Sequence, residues 1–72
     1  FEDAAEPLEA AASHYEREHA LLEQLKSRAN TGRLDGYTKA DRTEMSRLLR
    51  GAFAEERAAV DGIRVALALM GD

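Results

Sequence analysis

The stretch "HYEREHALLEQL", residues 14 to 25, concentrates the side chains of this sequence that could take part in chemistry. It contains two histidines and three glutamates, and Glu16 and His19 have the spacing Glu-x-x-His. Histidine and carboxylate side chains bind transition metals when several of them converge on one point. Convergence depends on the helices that carry these residues, because spacing along a helix decides which side chains share a face.

The composition fits one small soluble domain. The chain has 72 residues, of which 44% are hydrophobic and 33% charged, and no cysteine that could form a disulfide or a thiolate zinc site. A core of this size rarely contributes more than about 3–5 kcal/mol to stability. We therefore expect stability to come from well-packed helices, from a partner or from self-association, and we favour self-association.

Helix is predicted for nearly the whole chain. Fourteen alanines stand against six β-branched residues, the single proline is Pro7, and no alternating strand pattern competes. The apolar spacing predicts an all-α fold with a first helix over about residues 5–29, a turn over 30–38 and a second helix over about 39–70.

Glycines and short polar residues mark the ends of the predicted helices. Gly32 and Gly36 favour the end of the first helix and a reversal of the chain. Thr38 or Asp41 is the predicted N-cap of the second helix, and Asp41 together with Glu44 resembles a capping box.

One short connection between two long helices predicts an antiparallel helical hairpin. If the chain reverses near Asp35 and Gly36, residue i faces roughly residue 71 minus i, so that Leu22 meets Leu49. Apolar stripes at heptad spacing then form the contact between the helices. The predicted stripes consist of Leu8, Ala11, Tyr15, Leu22, Leu25 and Ala29, and of Met45, Leu49, Phe53, Val60, Ile63, Leu67 and Met70.

Two glutamates interrupt these stripes. In the predicted register Glu18 and Glu56 lie within about one turn of each other, and His14 and His19 project to either side of Glu18. Two carboxylates in an apolar contact need a metal, a proton, an arginine or access to water. The structural alternative to a site is that both glutamates stay hydrated at the edge of the contact and pair with neighbouring arginines.

Duplication of this cluster in a dimer would bring four carboxylates and several imidazoles into a four-helix bundle, an arrangement that is similar to the ferritin-like di-iron proteins. The resemblance implies a transition metal, such as iron, bound by Glu18, Glu56, His14 and His19. It extends over these few residues only, because Glu16 of the Glu-x-x-His spacing points away from the stripe.

The second helix also carries small and apolar residues on the face opposite its stripe. A helix that is apolar on two faces is buried on two faces, which predicts a second hairpin against it. We expect association into a dimeric four-helix bundle, or with a helical protein partner. The predicted partner interface consists of Ala54, Ala58, Gly62, Val65 and Leu69.

Charge is segregated along the predicted hairpin. Residues 1–24 have a net charge of −6, residues 25–50 of +4 and residues 51–72 of −2, which together give −4. The basic turn end could bind nucleic acid, an acidic partner or the acidic end of a second copy packed head to tail. This predicted basic patch consists of Arg28, Arg33, Lys39, Arg42, Arg47 and Arg50.

Several classes of function receive no support from the sequence. The longest apolar run, residues 65–70, is far shorter than the roughly 20 residues that cross a bilayer, so no membrane insertion is predicted. No phosphate-binding loop, cysteine nucleophile or Ser-His-Asp arrangement indicates an enzyme. We expect a cytoplasmic interaction or assembly module: an adaptor, a chaperone-like subunit or a regulatory subunit. The alternatives are the metal-binding half-bundle and the binder of nucleic acid or an acidic partner.

Overall fold

Two long helices pack against each other as a hairpin in the computed structural model, which describes residues 2–32 and 36–71. Helix α1 spans Glu2–Thr31 and helix α2 spans Lys39–Leu69, and the hairpin measures 53 × 14 × 14 Å. The described residues contain no strand, which confirms the prediction of an all-α helical hairpin.

The end of α1 is fixed by backbone and aromatic contacts. The Gly32 N–H donates to the Arg28 carbonyl at 3.2 Å. The Tyr37 hydroxyl donates to the Ala29 carbonyl at 2.7 Å, and its ring occupies the position that a Cβ atom on Gly32 would need. Gly36 has a φ of 80°, a conformation that favours glycine. The two glycines that were predicted to mark the turn are therefore both used, and Tyr37 holds the turn against the end of α1.

Helix α2 begins with a capping box at Thr38, which confirms one of the two predicted N-caps, although the pair that forms the box differs from the prediction. Thr38 is the N-cap: its hydroxyl accepts from the Asp41 N–H at 3.0 Å, and the Asp41 carboxylate accepts from the Thr38 N–H at 3.0 Å. These Thr38 bonds hold the pKa of Asp41 below its ordinary value, with a smaller contribution from Arg28 at 3.7 Å. The predicted pairing of Asp41 with Glu44 is wrong, because Glu44 instead binds Arg47.

The helix register agrees with the prediction. Leu21 lies against Gly51 and Ala11 lies against Gly62, within a turn of the expected partners. A Cβ atom added to Gly62 would lie 2.9 Å from the Pro7 carbonyl oxygen and 3.2 Å from the Ala11 Cβ, which marks the closest approach of the backbones. Small residues are therefore what permits this contact.

The contact between the helices, which we call the seam, is lined by small side chains. Its alanines in α2 recur every seven residues, so that they stay on the side facing α1. Leu48 is the one large side chain among the described residues that is almost fully buried, with 2% exposed. The buried seam residues are Ala4, Ala11, Leu48, Ala52, Ala59 and Ala66.

Most large residues of the predicted contact stripes lie outside the closest contact, whereas the predicted stripe residue Ala11 is buried in it, with 3% exposed. Phe53 is 63% exposed and Leu49 is 55% exposed, although both were expected between the helices. Each is a neighbour in sequence of a buried residue, Ala52 and Leu48 respectively, so α2 is rotated relative to the prediction. The physical reason is size: alanines let the backbones approach closely, and larger side chains are displaced to one side of the seam.

Candidate association surface

Large apolar side chains from both helices lie together on one side of the hairpin, which we call the apolar face. In antiparallel helices, heptad positions displaced in the same sense from the seam project to the same side. At least seven of its members are more than a third exposed, and Val60 and Ile63 are half-buried. The apolar face consists of Leu8, Tyr15, Leu22, Leu49, Phe53, Val60, Ile63, Leu67 and Met70.

The middle of the apolar face contains the two glutamates that interrupt the predicted stripes. Glu18 and Glu56 line one groove together with Leu22, Leu49 and Phe53. Glu18 is half-buried and Glu56 is exposed. The sequence prediction that these carboxylates are neighbours therefore agrees with the structure, but they lie at the surface rather than between the helices.

The opposite side of the hairpin, which we call the polar face, carries an ion-pair cluster. Arg17 Nε donates to Glu55 Oε2 at 3.0 Å, and His14 Nδ1 lies 3.0 Å from the same oxygen. The hydrogen bond with His14, followed by that from Arg17, lowers the pKa of Glu55 below its ordinary value. This cluster joins α1 to α2 on one side of the seam.

The tautomer of His14 decides which hydrogen bond its Nδ1 atom makes. Nδ1 lies 2.9 Å from Arg17 Nη2 as well as 3.0 Å from Glu55 Oε2. A protonated Nδ1 donates to Glu55, whereas an unprotonated Nδ1 accepts from Arg17, so one nitrogen cannot make both bonds at once. Arg17 Nε holds the carboxylate in either case.

The residues of the predicted metal site are divided between the two faces. His14 is on the polar face with Glu55, whereas Glu18 and Glu56 are on the apolar face, and His19 is exposed. Within residues 2–32 and 36–71, no group of three histidine or carboxylate side chains is placed to hold a metal ion. The transition-metal hypothesis stays a prediction that would require a second chain.

The predicted partner interface is also divided. Gly62 lies in the seam against Pro7 and Ala11, which corrects its expected position on the outward face. Ala58 is half-buried, and the remaining members, Ala54, Val65 and Leu69, are exposed. The expected position of Gly62 is wrong because small residues, and not the stripe of large ones, form the contact side of α2.

Several members of the predicted basic patch bind groups of their own chain. Arg28 pairs with Asp41, Arg47 makes a bidentate contact with Glu44, and Arg42 donates to the Tyr37 carbonyl at 2.8 Å. Lys39 and Arg50 are exposed, and Arg33 lies outside the described residues. Local pairing reduces the positive charge that this end offers to a polyanion.

Glu55 was missed by the sequence analysis. Its partners are 38 and 41 residues away in the chain, so only the register of the hairpin brings them together. The alanine row of α2 was missed as well, although its signal is in the sequence: Ala52, Ala59 and Ala66 recur with a period of seven.

No helix of the described part of the chain is long and apolar enough to span a bilayer. Comparisons with known protein families, with curated proteins and with solved structures find no match to this chain. The case for a function therefore depends on the two faces of the hairpin.

Proposed function

We propose that this protein is a helical association module and that the apolar face is its docking surface. The observation that supports this function is the amount of apolar side chain that the hairpin leaves exposed. Phe53, Leu49 and Leu22 are 63%, 55% and 41% exposed and lie next to one another around one groove. Contiguous apolar surface of this kind is typical of interaction sites, whereas single exposed apolar residues are ordinary.

The total surface supports the same proposal. The chain exposes 5529 Å². A compact monomer of 7.9 kDa exposes about 4400 Å², so that the excess is roughly 1100 Å². Stable protein interfaces bury about 800 Å² per partner. The excess surface is therefore large enough for a specific interface on one face of the hairpin.

The shape of the face favours a helical partner. It follows a hairpin that is 53 Å long and 14 Å wide, and its apolar residues recur at heptad spacing. Side chains spaced in this way form ridges and grooves into which those of another helix pack. Association would then add a second layer of helices to the hairpin, as in a helix bundle.

A photo-crosslinking experiment tests the docking surface. Phe53 is replaced by p-benzoylphenylalanine, and the matched control places the same group at Gln24, which is exposed on the other side of the hairpin. We expect crosslinked protein from position 53 under native conditions and much less from position 24. Equal yields at both positions, or none at position 53, would contradict the proposal.

A further inference from the structure

Two rows of opposite charge flank the apolar face along its outer edges. The acidic row consists of Glu9, Glu16 and Glu23 in α1, and the basic row consists of Arg50, Arg57 and Arg64 in α2. All six residues are exposed, and each row has a period of seven. Charged positions of this kind select partners and orientation in helix bundles.

Both rows have the same relation to the apolar face. Every acidic residue directly follows an apolar-face residue of α1: Leu8, Tyr15 or Leu22. In α2, Arg57 and Arg64 line a groove together with Phe53 and Val60. The face is thus acidic along one edge and basic along the other.

We infer that the apolar face is covered by a second copy of this chain, with the two hairpin turns at the same end of the dimer. This inference rests on the proposed function and names the partner and its orientation. A rotation of 180° about the long axis of the hairpin places α1 of one copy over α2 of the other. The acidic row of each copy then lies along the basic row of its partner.

The axial positions of the two rows match. In the observed register Ala11 lies opposite Gly62. The same register pairs Glu9 with Arg64, Glu16 with Arg57 and Glu23 with Arg50 across the two copies. Six pairs of opposite charge result in a symmetric dimer. If the turns were at opposite ends, α1 of one copy would lie over α1 of the other. The acidic rows would then lie along each other, and so would the basic rows.

Side-chain size gives an independent argument for the same orientation. At the heptad position one step further from the seam, α1 has Ala5, Ala12 and His19, whereas α2 has Phe53, Val60 and Leu67. With the turns at the same end, Ala5 meets Leu67 and Ala12 meets Val60 of the second copy, so that small residues accommodate large ones. The opposite orientation would place the large residues of the two α2 helices against each other.

The net charges of the two ends alone would favour the opposite orientation, because residues 25–50 are basic and the chain ends are acidic. Arg28 and Arg47, however, are already paired with Asp41 and Glu44 in their own chain. At physiological salt, interactions between exposed charges are largely screened beyond about 8 Å. The attraction between the acidic row of one copy and the adjacent basic row of the other therefore outweighs the attraction between the net charges of the distant ends.

Distances between spin labels test the orientation directly. The chain contains no cysteine, so single variants Ala40→Cys, Ala54→Cys and Ala68→Cys each carry one label at an exposed position of α2. We expect similar distances of roughly 20–30 Å between the two copies at all three positions, two to three helix diameters. A short distance at position 54 together with distances near the 53 Å hairpin length at positions 40 and 68 would overturn the orientation.

Charge reversal tests the rows. Because each dimer contains six pairs, the combined variant Glu9→Arg, Glu16→Arg and Glu23→Arg should weaken self-association at least about tenfold. The control adds the compensating changes Arg50→Glu, Arg57→Glu and Arg64→Glu, and should restore it. Equal dimer stability in all three proteins, measured by sedimentation equilibrium, would contradict the pairing of unlike rows.

The inference and the proposed function can fail separately. A wild-type protein that stays at 7.9 kDa at all concentrations overturns the dimer. If position 53 then crosslinks specifically to a different protein, the apolar face is a docking surface and only the identity of its partner is wrong. If position 53 gives no crosslink, both the dimer and the docking surface are wrong.

Discussion

The seam and the apolar face contain residues of the same class but opposite size. The seam buries five alanines and Leu48, whereas the apolar face exposes side chains such as Phe53 and Leu49. Burial of apolar surface stabilises by about 25 cal/mol per Å². Because an alanine side chain has little apolar area, each buried alanine contributes little hydrophobic free energy. The helices of the hairpin are therefore joined by small side chains at close approach, and most of its large apolar side chains remain exposed for the association that we propose.

Ala59→Leu should have the largest effect, because Ala59 is 0% exposed in the seam. Extra atoms there must separate the helices, and overpacking of this kind costs up to about 3 kcal/mol. That is most of the stability expected for a domain of this size. Urea unfolding followed by circular dichroism, at one fixed protein concentration, measures the change.

The matched control for this change is Ala54→Leu, an exposed position of the same helix. Because it lies outside both the seam and the apolar face, the free energy of unfolding should change by no more than about 0.5 kcal/mol. Equal losses for the two variants would mean that Ala59 is not enclosed by α1.

Phe53→Ala should affect association rather than the hairpin itself. Phe53 is the most exposed large apolar residue among those described, so its truncation removes little that is buried within one chain. An aromatic residue at the centre of an interface commonly contributes about 2 kcal/mol or more, which corresponds to roughly a thirtyfold loss of affinity. Sedimentation equilibrium should show this loss, while the unfolding of dilute monomer changes by less than about 0.5 kcal/mol.

Glu56→Leu should strengthen the same dimer. Glu18 and Glu56 line one groove of the apolar face, so in the proposed dimer the carboxylates of both copies would come together near the middle of the interface. Removal of one charge per chain from an apolar contact should tighten association about tenfold, or 1.4 kcal/mol. The measurement is repeated with EDTA and with zinc or iron. Weaker association of the variant, seen only with metal present, would instead favour the metal-binding alternative.

The two glycines of α2 that lie against α1 should respond to alanine with opposite signs. A Cβ on Gly62 meets the Pro7 carbonyl oxygen at 2.9 Å, whereas a Cβ on Gly51 meets a terminal methyl carbon of Leu21 at 3.2 Å, and the Leu21 side chain can shift away. Alanine gains about 1 kcal/mol in helix propensity at both positions. We expect Gly51→Ala to stabilise by up to about 1 kcal/mol and Gly62→Ala to destabilise by about 1 kcal/mol.

The fold could be predicted from the sequence because its signals are local. Alanine content, the glycines at 32 and 36, and heptad spacing define two helices and one turn, and the position of the turn fixes the register. The rotation of α2 was missed, because hydrophobicity alone favours Phe53 over Ala52 as a buried residue. Burial at the closest contact is instead decided by how near the backbones can come, which depends on both helices at once.

Changes to the ion-pair cluster of the polar face should alter the stability of the hairpin least. Their effect on stability should depend on pH. The pKa of Glu55 is lowered in the folded chain, so its contribution to stability is present above the pKa of the unfolded chain and is lost as pH falls through the folded pKa. The hairpin should therefore lose stability as the pH falls below roughly 4. Asp41 and Glu44 act in the same direction.

Glu55→Gln separates this contribution from the others. The variant should be less stable than wild type at neutral pH, because Arg17 and His14 lose their charged partner, and the difference should shrink in acid. His14→Asn is the matched change, since it removes the partner with the largest influence on Glu55 and keeps the carboxylate. A gap between Glu55→Gln and wild type that is the same at pH 3 and pH 7 would show that Glu55 joins the helices by shape rather than by charge. The polar face would then join the helices by packing, as the seam does, and the charge of Glu55 would play no part in holding the hairpin together.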